Sequence, residues 1–483
     1  MSKHLLRFFL IMIMVSGRIS LSAQHQEAEW PYQWPADSLV AARLDEWQDW
    51  KFGVIIHWGP YSQWDVVESW SLCPEDEPWC QRTGPCAENY HKYVEAYRRI
   101  HHIWYPAAFS PEKWAGACRE AGMRYLVFTT KHHDGFCMYD SRYTDYRITY
   151  PSSAFSRHPK ADVVRAVFDA FREQGLATGV YFSKPDWSSP DYWWPYFPPF
   201  DRNVNYNPFQ YPDRWQRFKE FTYNQIEELM ANYGKVDILW LDGGWVRPAG
   251  SLTDETRPWL GKNQWIQDVD IPRIAGMARQ HQPGLLIVDR TVHGEFENYR
   301  TPEQQIPNIK PDYPWESCIT LGSSWYAVPG EQYKSLHWII HTLVKITAKG
   351  GNFLLGIGPD KTGDIVPEVY QRLKETGSWM QTNGRAIYET RPLEPNAEGK
   401  FAWSQSKDGA TQYLFYLLDE NEGIPSVIQL PKGFAAEKNT IQLLGHNRAL
   451  RIRQHKGSPE VQIPSVLRSK FAGSPALVFS LSR

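Results

Sequence analysis

Lys235-Val-Asp-Ile-Leu-Trp-Leu-Asp242, followed by Gly243-Gly244-Trp245, is the stretch on which the reading of the whole chain turns. It is entered from Tyr233-Gly234, runs through a short apolar segment and stops at one acid before two glycines. An apolar run of this length without polar alternation is what a parallel strand buried on both faces requires. It carries a single carboxylate at its C-terminal end, where barrel enzymes place their chemistry. Asp before Gly is also a common turn signal, so the segment by itself leaves Asp242 either a turn residue or a site residue.

The same pattern recurs along the chain. Phe52-Gly-Val-Ile-Ile stops at His57-Trp58-Gly59, Tyr125–Thr130 runs into Lys131-His132-His133-Asp134-Gly135, and Ala177–Phe182 ends with Tyr181 and Ser183. Leu285–Val288 ends at Asp289-Arg290 and Phe353–Ile357 at Gly358-Pro359. Helical patterns lie between these runs: Asp162 caps a segment whose Val163, Val167 and Phe171 share one face. Pro111–Glu120, Asp213–Asn232, Pro272–Gln280, Tyr333–Lys349 and Pro367–Asn383 read in the same way. Strand and helix in alternation predict an α/β fold with parallel strands and crossover helices. No glycine-rich phosphate loop follows any strand, which favours a TIM-like (β/α) barrel over a doubly wound sheet; the barrel is expected over residues 24–392. Beyond Pro395 the texture changes. Thr411–Leu418, Ser426–Leu430, Thr440–Leu443, Leu450–Arg453, Val461–Ile463 and Ala476–Leu481 are short β-type runs separated by Gly, Pro, Asn and Lys. They predict a small C-terminal antiparallel β-sandwich over residues 393–483.

The chain of 483 residues is long enough for one large domain and one small one. A net charge of −2 gives no footprint for nucleic acid or an anionic membrane, so no nucleic-acid partner is expected. Aromatic residues make up 15% of the chain, with 23 Trp and 26 Tyr, and flat rings with a polar edge suit the faces of sugars as well as large cores. The first 23 residues read as a secretory signal: Lys3 and Arg7, the apolar run Phe8–Val15, then small residues over Ser20–Ala23. Cleavage there predicts an exported protein, periplasmic or extracellular, and no segment is apolar for long enough to span a membrane. Three of the six cysteines, Cys73, Cys80 and Cys86, crowd one Pro- and Gly-containing insertion, where two of them can pair; a zinc site is disfavoured because no CxxC or paired His lies nearby.

The strand ends bring His57, His132, His133, Tyr181, Trp240, Asp242 and Arg290 toward one face, and a loop with Glu295, Glu297, Glu303 and Glu316 follows. This set offers hydroxyl-binding donors, aromatic platforms and a surplus of acids. The segments Lys51–Ser62, Thr130–Phe136, Trp240-Leu-Asp-Gly243, Tyr299-Arg-Thr-Pro-Glu303 and Lys349-Gly-Gly-Asn352 through Gly358-Pro359 resemble the α-L-fucosidases of glycoside hydrolase family 29. The likeness runs in order from about Trp47 to Thr390. The wording at Asp145-Tyr146 and Tyr299–Gln304 is closer to the branch that cleaves branched, linkage-restricted fucosides.

The resemblance implies an exo-acting retaining glycosidase acting on oligosaccharides with a terminal α-L-fucose, with no cofactor and no metal. Asp242 matches the nucleophile and Glu303 the acid/base, with Glu316 as the rival for that second role. His57, His132, His133, Tyr181, Trp240 and Arg290 match residues that hold the sugar. The adjacent His132 and His133 are expected on opposite faces of a strand, which argues against a metal site. Two departures border the expected mouth: Glu68-Ser69-Trp70 stands where the family commonly has Glu-Trp, so the sugar contact is carried onto Glu68 and not Trp70, and Gly356 replaces the usual Asn. The Cys73–Cys86 insertion and the aromatic loop Trp187–Phe200 are expected there too. An α-L-galactosidase using the same site, and a non-catalytic carbohydrate-binding protein, are the competing readings.

Overall fold

The computed structural model describes residues 30–75, 77–431, 439–455 and 458–482. The expected signal segment, with Lys3, Arg7, Phe8–Val15 and Ser20–Ala23, lies outside the described residues.

The barrel elements run α1 (Ser38–Trp50), β1 (Phe52–Ile56), α2 (Tyr90–Tyr97), α3 (Pro111–Glu120), β2 (Tyr125–Lys131), α4 (Val163–Glu173) and β3 (Ala177–Ser183). They continue through α5 (Pro212–Asn232), β4 (Ile238–Asp242), α6 (Ile271–His281), β5 (Leu286–Asp289), β6 (Glu316–Thr320), α7 (Leu336–Ala348), β7 (Asn352–Ile357) and α8 (Pro367–Asn383). All seven strands pair in parallel in the order β5-β4-β3-β2-β1-β7-β6. Residues alternate between two destinations. Val54, Ile56, Leu126, Phe128, Val180, Leu239, Ile287 and Leu355 face the helices, whereas Ile55, Val127, Tyr181, Trp240, Val288, Cys318 and Leu354 fill the interior. Both faces are buried, which is why the runs read as continuously apolar.

The floor of the barrel is closed by α1. Asp37 caps it, accepting from the backbone N–H groups of Leu39 and Val40, and its Val40, Leu44 and Trp47 pack into the interior cluster. Asn352, at the start of β7, donates to the Trp47 carbonyl at 2.7 Å.

Between β5 and β6 there is no regular eighth strand among the described residues; an irregular segment takes its place. Asp289 N–H donates to Phe296 O at 2.8 Å and Asn298 N–H to Ile287 O at 2.9 Å on one side. Arg300 N–H donates to Pro314 O, Glu316 N–H to Arg300 O and Gln304 N–H to Cys318 O on the other. Residues 296–304 therefore bridge both edges, closing the ring and bringing Glu303 to the upper rim. β6 itself is a strand that the periodicity of Glu316-Ser-Cys-Ile-Thr320 does not reveal, because three of its five residues are polar although all are buried.

The C-terminal strands are β8 (Thr390–Glu398), β9 (Phe401–Ser406), β10 (Thr411–Leu417), β11 (Val427–Gln429), β12 (Thr440–Leu443), β13 (Leu450–His455), β14 (Ser458–Gln462) and β15 (Ala476–Ser482), with a short α9 (Ser465–Lys470) before the last. They are antiparallel in the order β11-β14-β13-β12-β15-β10-β9-β8. Ile428 of β11 and Trp403 of β9, far apart in that order, share one core with Leu414, Val461 and Phe479. The sheet thus folds over on itself around an apolar filling, as a sandwich does.

Candidate active site

The register of the strands builds the site. Leu241 pairs with Asp289 and the Arg290 N–H donates to Leu241 O, so Arg290 lies beside Asp242 at the top of the interior. Ser183 pairs with Asp242 and Tyr181 with Trp240 from the other side. Directly after Asp242 the chain turns at Gly243, whose φ of +91° and close approach to Pro185 leave no room for a Cβ. These strand ends line a cavity of about 580 Å³, floored by Ile55, Trp240 and Cys318.

At its centre the Tyr181 hydroxyl donates to Asp242 Oδ2 at 2.6 Å, Arg290 Nη1 donates to Oδ1 at 3.2 Å, and His133 Nε2 is 3.7 Å from Oδ2. Burial alone would raise the Asp242 carboxyl, but the Arg290 guanidinium, His133 and the Tyr181 hydroxyl together hold it well below the usual carboxylate range. The same guanidinium reaches Glu303 through Nη2, so Arg290 bridges two acids. Burial would lower Arg290, yet Glu303 and Asp242 push it above its ordinary value. Glu303 also accepts from Trp325 Nε1 at 3.3 Å and is more than one-third exposed.

The imidazoles are neutral near pH 7. Burial holds His57 and His132 well below their ordinary value, and brings His133 down to about 4 despite Asp242. Arg290 is thus the standing cation bonded to Asp242. His132 Nδ1 shares a hydrogen bond of 2.7 Å with Ser69 Oγ, which also accepts from the Asp134 N–H. His57 packs against Tyr181 and Trp325 with ring centroids 5.2 and 5.0 Å away. Glu68 is buried and raised to about 7 by that burial, with the Tyr326 and Trp325 backbone amides opposing. Buried polar atoms with no protein partner gather here: His57 Nδ1, His133 Nδ1, Glu68 Oε1 and Arg290 Nε. Such atoms invite a hydroxyl-rich ligand.

The structure brings together Asp242, Glu303, His57, Glu68, His132, His133, Tyr181, Trp240 and Arg290 around the cavity. Glu316 is elsewhere. It opens β6 at the N-terminal end of the barrel, fully buried, accepting from the Tyr125 hydroxyl at 2.6 Å and Trp240 Nε1 at 3.3 Å. Burial raises it to about 8, so it is a neutral acid inside the barrel and not a lining residue. Glu295 and Glu297 do not line the cavity either.

Three expectations need correction. His132 and His133 do not point to opposite faces: β2 is irregular between Thr129 and Lys131, both histidines lie past its end in a turn, and with Asp242 their ligand atoms are within 4.8 Å of one another. Trp70 does line the cavity beside Glu68, because a positive φ at Ser69 turns the chain between them. The aromatic loop Trp187–Phe200 does not line it; Trp187 is buried behind His133, whereas the Cys73–Cys86 insertion contributes Trp79.

Trp325 escaped the sequence reading. A Cβ on Gly356 would lie 2.7 Å from its ring, so the space left by the missing Asn side chain at the top of β7 is filled by an indole from the preceding loop. A glycine at an inward strand end was the available signal. Trp245, Trp259 and Arg202 complete the walls.

Residues 19–385 match the model of the alpha-L-fucosidase family. The chain belongs to the alpha-L-fucosidase family. It is 27% identical to rat tissue alpha-L-fucosidase over 443 residues, covering 87% of this chain and 85% of that one. With the human tissue enzyme it shares 27% identity over 461 residues, 90% and 88% of the two chains. Among solved structures it is similar to alpha-L-fucosidase isoenzyme 1 from Paenibacillus thiaminolyticus, with a TM-score of 0.72, 26% identity and coverage of 92% and 99%. A trapped covalent intermediate of a GH29 alpha-L-fucosidase from Bacteroides thetaiotaomicron shares the fold, with a TM-score of 0.68, 22% identity and coverage of 94% and 98%. As in that family, the chain is a glycoside hydrolase built on a parallel barrel sheet with a C-terminal antiparallel sheet.

Proposed function

We propose that the protein is an exo-acting, retaining α-L-fucosidase that releases terminal α-L-fucose from oligosaccharides in two displacements. The observation that carries this reading is the Arg290 guanidinium gripping Asp242 and Glu303 together at the rim of a blind, aromatic-walled cavity. Two acids on one guanidinium are held on the scale of the roughly 5–5.5 Å separation that a retaining pair needs.

Asp242, buried yet ionised, is the nucleophile: it attacks the anomeric carbon and forms a glycosyl ester as the bond to the aglycone oxygen breaks. Glu303, exposed at the rim where an aglycone leaves, protonates that oxygen and then takes a proton from the incoming water. Glu316 is sealed away from both events. Neutral His57, His132 and His133, with Tyr181, Arg290 and Glu68, supply donors and acceptors to the ring hydroxyls. Below pH 7 Glu68 carries a proton and donates one of these bonds. The floor at Trp240 admits a terminal residue and stops a chain from passing through, which supports exo action.

We also propose that no metal serves this reaction. His132, His133 and Asp242 are close enough to hold one, but both Asp242 oxygens already accept from Tyr181 and Arg290, and Ser69 occupies His132 Nδ1. Prolonged EDTA treatment should leave turnover unchanged; restoration of a lost activity by zinc would reverse this assignment. Export to the periplasm or outside the cell is part of the proposal and rests on the N-terminal signal-like sequence; the mature protein then begins near Gln24, which N-terminal sequencing checks.

The direct test is covalent. A 2-fluoro-L-fucosyl fluoride is expected to label the wild-type enzyme on the peptide carrying Asp242, and Asp242→Asn should lose turnover by several orders of magnitude while remaining folded. Label on another acid, or a fully active variant, sinks the mechanism. A panel of defined α-L-fucosides and α-L-galactosides, with product anomers followed by NMR, reads the linkage and the sugar.

A further inference from the structure

The insertion between Leu72 and Cys86 carries a chemistry that the reaction does not use. Cys73 caps the short helix Trp70–Leu72 and Cys80 ends the short helix Pro78–Cys80, and both side chains are buried. Their sulfurs and a Glu75 carboxylate oxygen lie within 4.8 Å of one another. Both are free thiols in this structure. Cys86 is half-buried and stands outside this trio.

Glu75 is already engaged. It accepts from Arg202 Nε at 2.7 Å, from the Arg202 backbone N–H at 2.9 Å, and from Nη2. A carboxylate committed to a two-pronged guanidinium is a poor third ligand, which leaves the two sulfurs to each other and not to a metal. Arg202 in turn lies over the rings of Trp70 and Trp245, 5.1 and 5.4 Å from their centroids, and both rings pack against His133. Trp79, next to Cys80, lines the cavity.

We infer that Cys73 and Cys80 form a disulfide in the mature protein, stapling the insertion so that Glu75 and Trp79 hold the wall of the site. The oxidant is an external disulfide: one cysteine thiolate attacks it, releasing a thiol and leaving a mixed disulfide, and the second cysteine thiolate displaces the other thiol. Two protein thiols are oxidised and one external disulfide is reduced to two thiols. Because both sulfurs are buried once the loop has closed, the exchange belongs to folding.

The test uses the full chain, folded with a glutathione disulfide and thiol mixture, then denatured and alkylated without reduction. The stretch Cys73–Cys80 holds no Lys or Arg, so a protease cutting after Glu75 is needed to separate the two cysteines. The expected result is a cross-linked pair of peptides carrying Cys73 and Cys80, with the other cysteines alkylated. Reduction should lower the melting temperature of this protein by several degrees and leave that of the Cys73→Ser/Cys80→Ser variant where it was. Reduction should also raise KM for oligosaccharides more than it lowers kcat, because the wall and not the acid pair has loosened. Complete alkylation of Cys73 and Cys80, pairing of either with Cys86, or one equivalent of zinc on the purified protein would overturn the inference. The peptide readout is independent of the proposed fucosidase activity, so failure of one is distinguishable from failure of the other.

Discussion

Glu303 and Glu316 differ less in sequence than in the work their surroundings allow. Glu303 faces solvent beside Arg290, whereas Glu316 is locked beneath Trp240. Glu303→Ala should therefore cripple hydrolysis of natural oligosaccharides, whose leaving oxygen needs a proton, and spare an activated aryl fucoside much more. Azide should rescue that variant and give the α-azide, since Asp242 forms a β-linked ester and azide attacks its opposite face. Rescue of Glu316→Ala in place of Glu303→Ala would transfer the role. For Glu316 the expected signature is in stability. Its folded value near 8 lies above its ordinary 4.5, so between those values the folded chain keeps a proton that the unfolded chain has lost. Its contribution is full below pH 4.5 and is lost as pH rises through 8, by at most about 1.4 kcal/mol per pH unit. Glu316→Gln removes that slope, which denaturant melts across pH 5–8 would measure. The lining acids and bases at strand ends were legible because each closes an apolar run. Ser69 and Trp325 were not, because they reach the site from loops whose course follows from backbone turns and from the space over Gly356.

At the scale of elements, six strands announced themselves through apolar runs, and β6 did not because its polar residues are satisfied inside the barrel. The closing segment 296–304 was equally hidden. It has no strand period, and its place depends on hydrogen bonds to partners on both sides. One residue anchors it from below: Tyr299 stacks on Trp47 of α1, with centroids 4.0 Å apart and planes 13° from parallel. Trp47 is fully buried, so Trp47→Ala should cost about 3–5 kcal/mol of stability through the cavity it leaves. Because Tyr299 leads directly to Glu303, the same change should lower kcat on substrates with poor leaving groups more than on activated ones. A variant that lost stability but kept the wild-type ratio between the two substrate classes would show that α1 does not position the rim acid.

Across the whole molecule, none of the described residues beyond Trp325 lines the cavity, so the C-terminal sheet acts on catalysis through the barrel it covers. Two kinds of contact join them. Arg391 and Lys407 of the β8–β9 region pair with Asp45 and Asp49 of α1, but these groups are mostly half-exposed, and exposed pairs contribute about 0–1 kcal/mol each. The apolar contact is larger: Ala402, Tyr413, Phe415, Leu417, Ala476 and Val478 belong to the same buried cluster as Leu343 and Trp379 of the barrel helices. Trp379 Nε1 donates to Ala476 O at 3.4 Å, and His341 Nε2 bonds to Pro475 O at 2.9 Å. Removing the sheet would expose one side of α7 and α8 that is apolar by composition, at about 25 cal/mol for each Å² uncovered. A chain ending before Thr390 should therefore fail to give a soluble, active barrel. The intact chain should melt in one calorimetric transition that raised salt barely shifts, since burial and not ion pairing holds the two parts together. Two separated transitions, or a soluble active truncation, would show that the barrel stands alone.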